Sequence, residues 1–227
     1  MAAPSTKTPR ERYRAQVRAE VKERAWEQIA TAGASALSLN AIAKLMGMSG
    51  PALYRYFASR DELITELIRD AYRSLADTIR AASEPDPGLA ALARALRGWA
   101  LADPQRYFLM YGTPVPGYHA PDDTTVIASE IMAGLLAACE ASAQDAAPAT
   151  PVSDSPGTAL ETHLEEQLEG HRPWAADRQA APEVLHRALT VWTRLHGALS
   201  LELSGHFNGM GFDPELLFEA ELADLIP

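Results

Sequence analysis

The chain has 227 residues, 47% of apolar type and 22% charged, enough for one large or two small globular domains with a substantial core. Its formal charge of −10 argues, taken alone, against a polyanionic partner such as nucleic acid. The single cysteine, Cys139, excludes an intrachain disulfide and points to a reduced, cytoplasmic setting; no run of about 18 apolar residues predicts a membrane span, and the polar, basic start does not read as a secretory signal.

The charge is uneven. Residues 1–80 hold 13 Lys/Arg against 9 Asp/Glu, a net of +4, whereas residues 81–227 hold 7 against 21, a net of −14. Lys7, Arg10, Arg12, Arg14, Arg18, Lys22 and Arg24 crowd the first 24 positions. Such asymmetry suggests a nucleic-acid-facing segment joined to a different module, with a boundary near residue 80.

Taken in order, the chain reads as helices. Val17, Val21, Ala25, Ile29 and Ala32 recur every three or four residues, one stripe of a helix over roughly 11–32 that Gly33 can end. Ser38 is placed to cap a short helix burying Ile42, Leu45 and Met46, and Gly47 ends it. Ser49 is placed to cap the next, with Pro51 in its first turn and Leu53 and Phe57 inward. Ser59 and Glu62 fit a capping box before Leu63, Leu67, Ala71, Leu75 and Ile79, a helix reaching about residue 82.

After the break at Glu84-Pro85-Asp86-Pro87-Gly88, Leu89, Leu92, Leu96 and Trp99 mark another helix, and Asp103-Pro104 opens a short one through Tyr111. Helices follow at 123–144 (Val126, Ile127, Ile131, Met132, Leu135, Leu136), 158–169 (Leu160, Leu164, Leu168), 182–205 (Leu185, Leu189, Trp192, Leu195, His196, Leu199) and from Asp213-Pro214 through Leu225, with Leu216, Leu217 and Ala220 on it. Residues 146–157, rich in Ala, Pro, Ser and Asp, read as a flexible loop. No segment alternates strictly, so the fold class is all-α: an N-terminal three-helix helix-turn-helix domain followed by a helical bundle.

The helix, Gly47 turn and second helix make a helix-turn-helix, in which the second helix enters the major groove. The strings Leu37-Ser38-Leu39-Asn40-Ala41-Ile42-Ala43, Met46-Gly47-Met48-Ser49-Gly50-Pro51-Ala52-Leu53-Tyr54-Arg55-Tyr56-Phe57 and Ser59-Arg60-Asp61-Glu62-Leu63 closely resemble the TetR family of bacterial transcriptional regulators over about residues 10–80. Arg60 stands where that family usually has Lys.

The resemblance implies a dimer on a double-stranded, palindromic DNA operator, most simply as a repressor. It implies phosphate contacts from Ser49, Tyr54, Tyr56 and Arg60, with a further contact from Asn40, and Ser38 at the head of its helix belongs to the same set. Gly50, Pro51, Ala52 and Arg55 are the implied base-facing group, Arg55 being suited to a guanine edge. The basic residues before Val17 resemble an arm that reinforces binding. The implied domains are an arm (1–10), a reader (11–82, with linking helix 61–82) and a ligand-binding and dimerisation domain (83–227).

The second half holds no recognised catalytic motif, no metal-ligand spacing among its histidines and no cofactor fingerprint. Trp99-Ala100, the run from Leu109 to Tyr118 and Trp192-x-x-x-His196-Gly197 resemble the TetR C-terminal subgroup named for its Trp, His and Gly. That implies a pocket for a small apolar or amphipathic effector, with Trp99, Tyr107, Phe108, Tyr111, Met132, Leu136, Trp192 and His196 as candidate lining residues, and dimerisation through the helices at 182–205 and 213–225. Two other readings of this half stand beside it: an enzyme with an unrecognised site, or a module for protein–protein interaction alone.

Overall fold

The computed structural model describes residues 8–84, 88–119, 121, 123–145, 156–170, 175 and 179–226. Among them are ten α-helices and one short 3-10 turn: α1 (Pro9–Ala32), the turn Ala34–Ala36, α2 (Leu39–Leu45), α3 (Gly50–Leu53), α4 (Arg60–Ser83), α5 (Leu89–Ala102), α6 (Pro104–Tyr111), α7 (Asp123–Asp145), α8 (Pro156–Gly170), α9 (Pro182–Leu203) and α10 (Pro214–Leu225). The all-α expectation holds. Residues 1–7, which carry most of the expected arm, Pro85–Pro87 of the predicted break, residues 146–155 of the predicted loop, and His171 lie outside the described residues.

Packing divides the chain into two compact units that do not follow the sequence order. The first comprises residues 1–71 and 105–121; the second comprises 72–104 and 122–227. The packing boundary does not fall after residue 82: it cuts α4 at Ala71 and assigns most of α6 and the segment after it to the first unit. Tyr107 and Val115, both buried, anchor that segment there, and the Tyr118 hydroxyl lies 3.1 Å from that of the buried Thr65.

In the first unit, a capping box starts α1: the Thr8 hydroxyl accepts from the Glu11 N–H, and the Glu11 carboxylate accepts from the Thr8 N–H. Val17, Val21, Ala25 and Ile29 are buried as the spacing predicted, but Ala32, the last residue before Gly33 ends the helix, is exposed. Leu37, Leu39, Ile42, Ala43, Leu53, Phe57, Leu63, Ile64 and Leu67 complete this core.

The second unit is built on α9, which packs against α5, α7, α8 and α10. Leu185, Ala188, Val191, Leu195 and Leu199 form its buried stripe. By length and mean hydropathy α7 could cross a bilayer, but Glu130 and Glu140 interrupt it, and Ile127, Ile131, Leu135, Leu136, Ala138 and Cys139 are buried inside the unit as core. Several predicted core positions face outward: Val126, Leu160, Leu164 and Leu216 are exposed, and Ala220 with them. On α10 the buried residues are Phe218, Leu222 and Leu225. The Arg97 guanidinium donates twice to Glu202, at 2.7 and 3.2 Å, and lies over the Phe218 ring, which ties α5 to α9 and α10.

Candidate DNA interface

The geometry of residues 38–57 follows from a few local choices. The Ser38 hydroxyl caps α2 by accepting from the Ala41 N–H, and the Gln28 side chain accepts from the Ser38 N–H. Gly47 adopts φ 64°, the left-handed conformation that lets the chain reverse between α2 and α3. At Gly50 an added Cβ would lie 3.1 Å from the Asn40 side-chain oxygen, so α3 approaches α2 closely. α3 is a single helical turn, closed by the Tyr56 and Phe57 N–H groups donating to the Leu53 carbonyl.

Leu53 and Phe57 are fully buried and fix the orientation of this turn. Asn40, Ser49, Pro51, Tyr54 and Arg55 are consequently exposed, Ala52 and Gly50 half-exposed. Tyr54 is 44% exposed, and neither its hydroxyl nor the Arg55 guanidinium is engaged by a described residue. Tyr56 is half-buried beneath Arg14, whose guanidinium donates to the Arg55 carbonyl. The two tyrosines therefore face different surroundings, as their spacing required.

Several expectations are corrected here. Ser49 precedes α3 but its hydroxyl makes no capping bond, which leaves the hydroxyl available to a ligand. Leu45, expected in the core, is 67% exposed, because α2 ends before its outer face meets another element. The Ser59 hydroxyl accepts from the Glu62 N–H, but the Glu62 carboxylate accepts from Ala58 rather than from Ser59, so the capping box is shifted by one residue.

Arg60 departs furthest. Its guanidinium donates to the carbonyls of Leu37, Ala34 and Ser35, at 3.2, 2.8 and 3.2 Å, and so binds the 3-10 turn to the head of α4. A phosphate at this side chain must compete with those bonds.

The N-terminal basic residues are also sorted. Arg18 pairs with Glu66 and Glu62, and Lys22 with Asp70 and Glu66. Cations four residues apart on α1 thus meet carboxylates four residues apart on α4, one ladder on two facing helices. Arg10 and Arg12 are exposed, and so is Lys44 on α2, which the sequence reading passed over; its signal was a lone basic residue in the last turn of the helix before the recognition turn.

The candidate ligand residues fall into both compact units. Tyr107 is buried in the first, with the rings of Phe108 and Tyr111 at 5.8 and 5.3 Å. Trp99, Met132, Leu136, Trp192 and His196 belong to the second. There the Trp99 indole donates to the Ser74 hydroxyl, Leu136 is buried, and the Trp192 and His196 rings lie 4.0 Å apart. Burial lowers the His196 pKa to about 4, and raises that of Cys139 to about 11.

Comparison with known proteins places these features in a family. Residues 23–67 match the profile described as bacterial regulatory proteins of the tetR family, and residues 89–225 match the tetracycline-repressor-like C-terminal domain. The HTH-type transcriptional regulator Rv1816 of Mycobacterium tuberculosis is 35% identical over 94% of this chain and 92% of its own length, and Mb1846 of Mycobacterium bovis gives the same figures. The crystal structure of the regulatory protein SCO4313 superposes with a TM-score of 0.83 at 66% identity, covering 96% of this chain and 99% of that one. A Rhodococcus sp. RHA1 protein of unknown function shares the fold alone, with a TM-score of 0.67 at 20% identity over 99% of this chain and 97% of its own. A helix-turn-helix followed by a helical C-terminal half fits both profiles and the 35% identical regulators: the chain belongs to the TetR family of DNA-binding transcriptional regulators.

Proposed function

We propose that this regulator acts as a cytoplasmic, dimeric, ligand-responsive repressor on a palindromic operator. The observation that carries the DNA half is the pair Tyr54 and Arg55, exposed on a turn held by buried Leu53 and Phe57. Arg55 reads a base edge, Tyr54 and Ser49 bind phosphate, and Asn40, Gly50, Pro51 and Ala52 shape the approach, with Ser38 holding α2 in place. Tyr56 contributes through its hydroxyl, and Lys44 adds a phosphate contact. Arg60 acts chiefly by fixing the turn below.

The likeness to the Trp-His-Gly subgroup rests on the quoted residues Trp99, Trp192, His196 and Gly197, and it supports a sensor for a small apolar or amphipathic effector in the second half. The exposed Leu201 of α9 and Leu216 of α10, at 44% and 69%, support pairing of two subunits through these helices. An effector then weakens operator binding only insofar as it prefers a subunit arrangement that does not fit the DNA.

The test is a gel-shift titration on an operator selected from random DNA. Tyr54→Ala with Arg55→Ala abolishes specific binding and leaves the dimer intact; unchanged affinity would remove the recognition turn from the reader.

A further inference from the structure

The first compact unit holds a cavity of about 310 Å³ between the C-terminal end of α1, the 3-10 turn, α6 and the residues after α6. It exists because α1 stops at Gly33, whose φ of 79° turns the chain aside and leaves the buried edge of Ile29 facing α6. Its apolar wall is Ile29, Phe108 and Val115. Its polar groups are the side chains of Ser35, Gln105 and Thr113, none of which is hydrogen-bonded to another described residue. No Asp, Glu, Lys, Arg or His lines it.

We propose that this cavity is a binding site for a small, neutral, amphipathic molecule with a cyclic apolar body and one or two hydrogen-bonding groups. The argument does not rest on the effector pocket proposed for the second half. An apolar wall with a few convergent, uncommitted polar groups is the composition of ligand sites, and its size sits at the lower end of their range of ~300–1,000 Å³. Without a charged group in the lining, an ion gains no partner there, so a neutral ligand is favoured. The occupant rests against Ala34 and Ser35, whose carbonyls hold Arg60 at the head of α4. It therefore touches the support of the reader directly.

The probe is 2-naphthol, a neutral bicyclic ring with one hydroxyl, titrated into the full-length protein carrying ¹³C-methyl labels. The expected result is saturable shifts of the Ile29, Leu109 and Val115 methyls, with a dissociation constant in the micromolar to low-millimolar range. Ala32→Trp, which fills the cavity from an exposed helical position, abolishes those shifts. Gln105→Leu and Thr113→Val, which leave the volume nearly unchanged, weaken binding several-fold each by removing a hydrogen-bond partner. The absence of saturable shifts at these methyls up to millimolar probe overturns the site. So do shifts confined to the Met132 and Leu136 methyls, or shifts that survive Ala32→Trp. Should Ala32→Trp fail to fold, unchanged affinity in both polar variants overturns it equally.

Discussion

The guanidinium carbon of Arg18 lies 4.1 Å from the centroid of the Phe57 ring, so that a cation on α1 covers the buried aromatic that anchors the recognition turn. The same guanidinium donates to the Tyr56 carbonyl and pairs with Glu66 at 3.2 Å. One side chain therefore joins α1, the end of α3 and α4.

Arg18→Ala removes the cation–π contact, a carbonyl bond and an ion pair together. The expected loss is about 1–3 kcal/mol of unfolding free energy, read as a lower urea midpoint at unchanged slope. Arg18→Lys keeps the charge but not the planar fork, and recovers only part of the loss.

Gly47 sits at φ 64° with open space where a Cβ would go, so substitution there meets conformational strain and no clash. Gly47→Ala costs about 1 kcal/mol or slightly more, and Gly47→Asn less, because Asn tolerates the left-handed region. Thermal unfolding of the two variants checks the order.

His196 gives a pH dependence whose sign is fixed by its pKa. Its folded value, about 4, lies below the ordinary 6.5, so between the two the unfolded chain binds the proton more readily. Its stabilising contribution is full above about pH 6.5 and is lost as the pH falls toward 4, by up to about 3 kcal/mol for a shift of this size. Urea midpoints at pH 7 and pH 5 measure it, and His196→Phe flattens that part of the difference.

Cys139 is buried on α7, and burial raises its thiol pKa to about 11. At pH 8 the native protein is expected to react with iodoacetamide far more slowly than the urea-unfolded chain, by at least an order of magnitude, since thiolate and access are both lacking. Mass spectrometry over a time course reads this directly.

Operator affinity is expected to fall steeply with salt, with log K linear in log[salt]. Lys44→Ala lowers the magnitude of the slope by about 1 and weakens all sequences alike, whereas Arg55→Ala costs about 1–3 kcal/mol on the specific site and relaxes the base preference. Equal effects of Lys44→Ala and Arg55→Ala on specific and random DNA would remove the distinction between them.

The helices were readable because a three-to-four-residue apolar period survives in the sequence wherever one face is buried: Val17 to Ile29 and Leu63 to Ile79 lie on their predicted faces, and on α9 Leu185, Leu195 and Leu199 do, while Ala188 and Val191 take the buried places beside half-buried Leu189 and Trp192. The same period cannot say whether a stripe meets a neighbour at its ends, which is why Ala32, Leu45, Val126, Leu160 and Leu216 face outward. The recognition turn was legible because its motif fixes each position locally. The inward bonding of Arg60 was not, because its partners lie 23 to 26 residues away. Nor was the packing of residues 105–121 with the first unit, which includes Arg106 over the Trp26 ring of α1 and the Tyr118 hydroxyl beside that of Thr65 on α4, both far off in sequence.

The ladder between α1 and α4 has a kinetic consequence. Because Arg18 and Lys22 are paired with Glu62, Glu66 and Asp70, the net +4 of residues 1–80 resides on cations outside the ladder. The exposed cations outside any ion pair among the described residues include Arg10, Arg12, Arg14, Lys44, Arg55 and Arg73, and they supply the long-range attraction to DNA. Attraction to duplex of any sequence comes from these side chains and weakens with salt, while residence on a given site is decided by the short-range fit of the recognition turn.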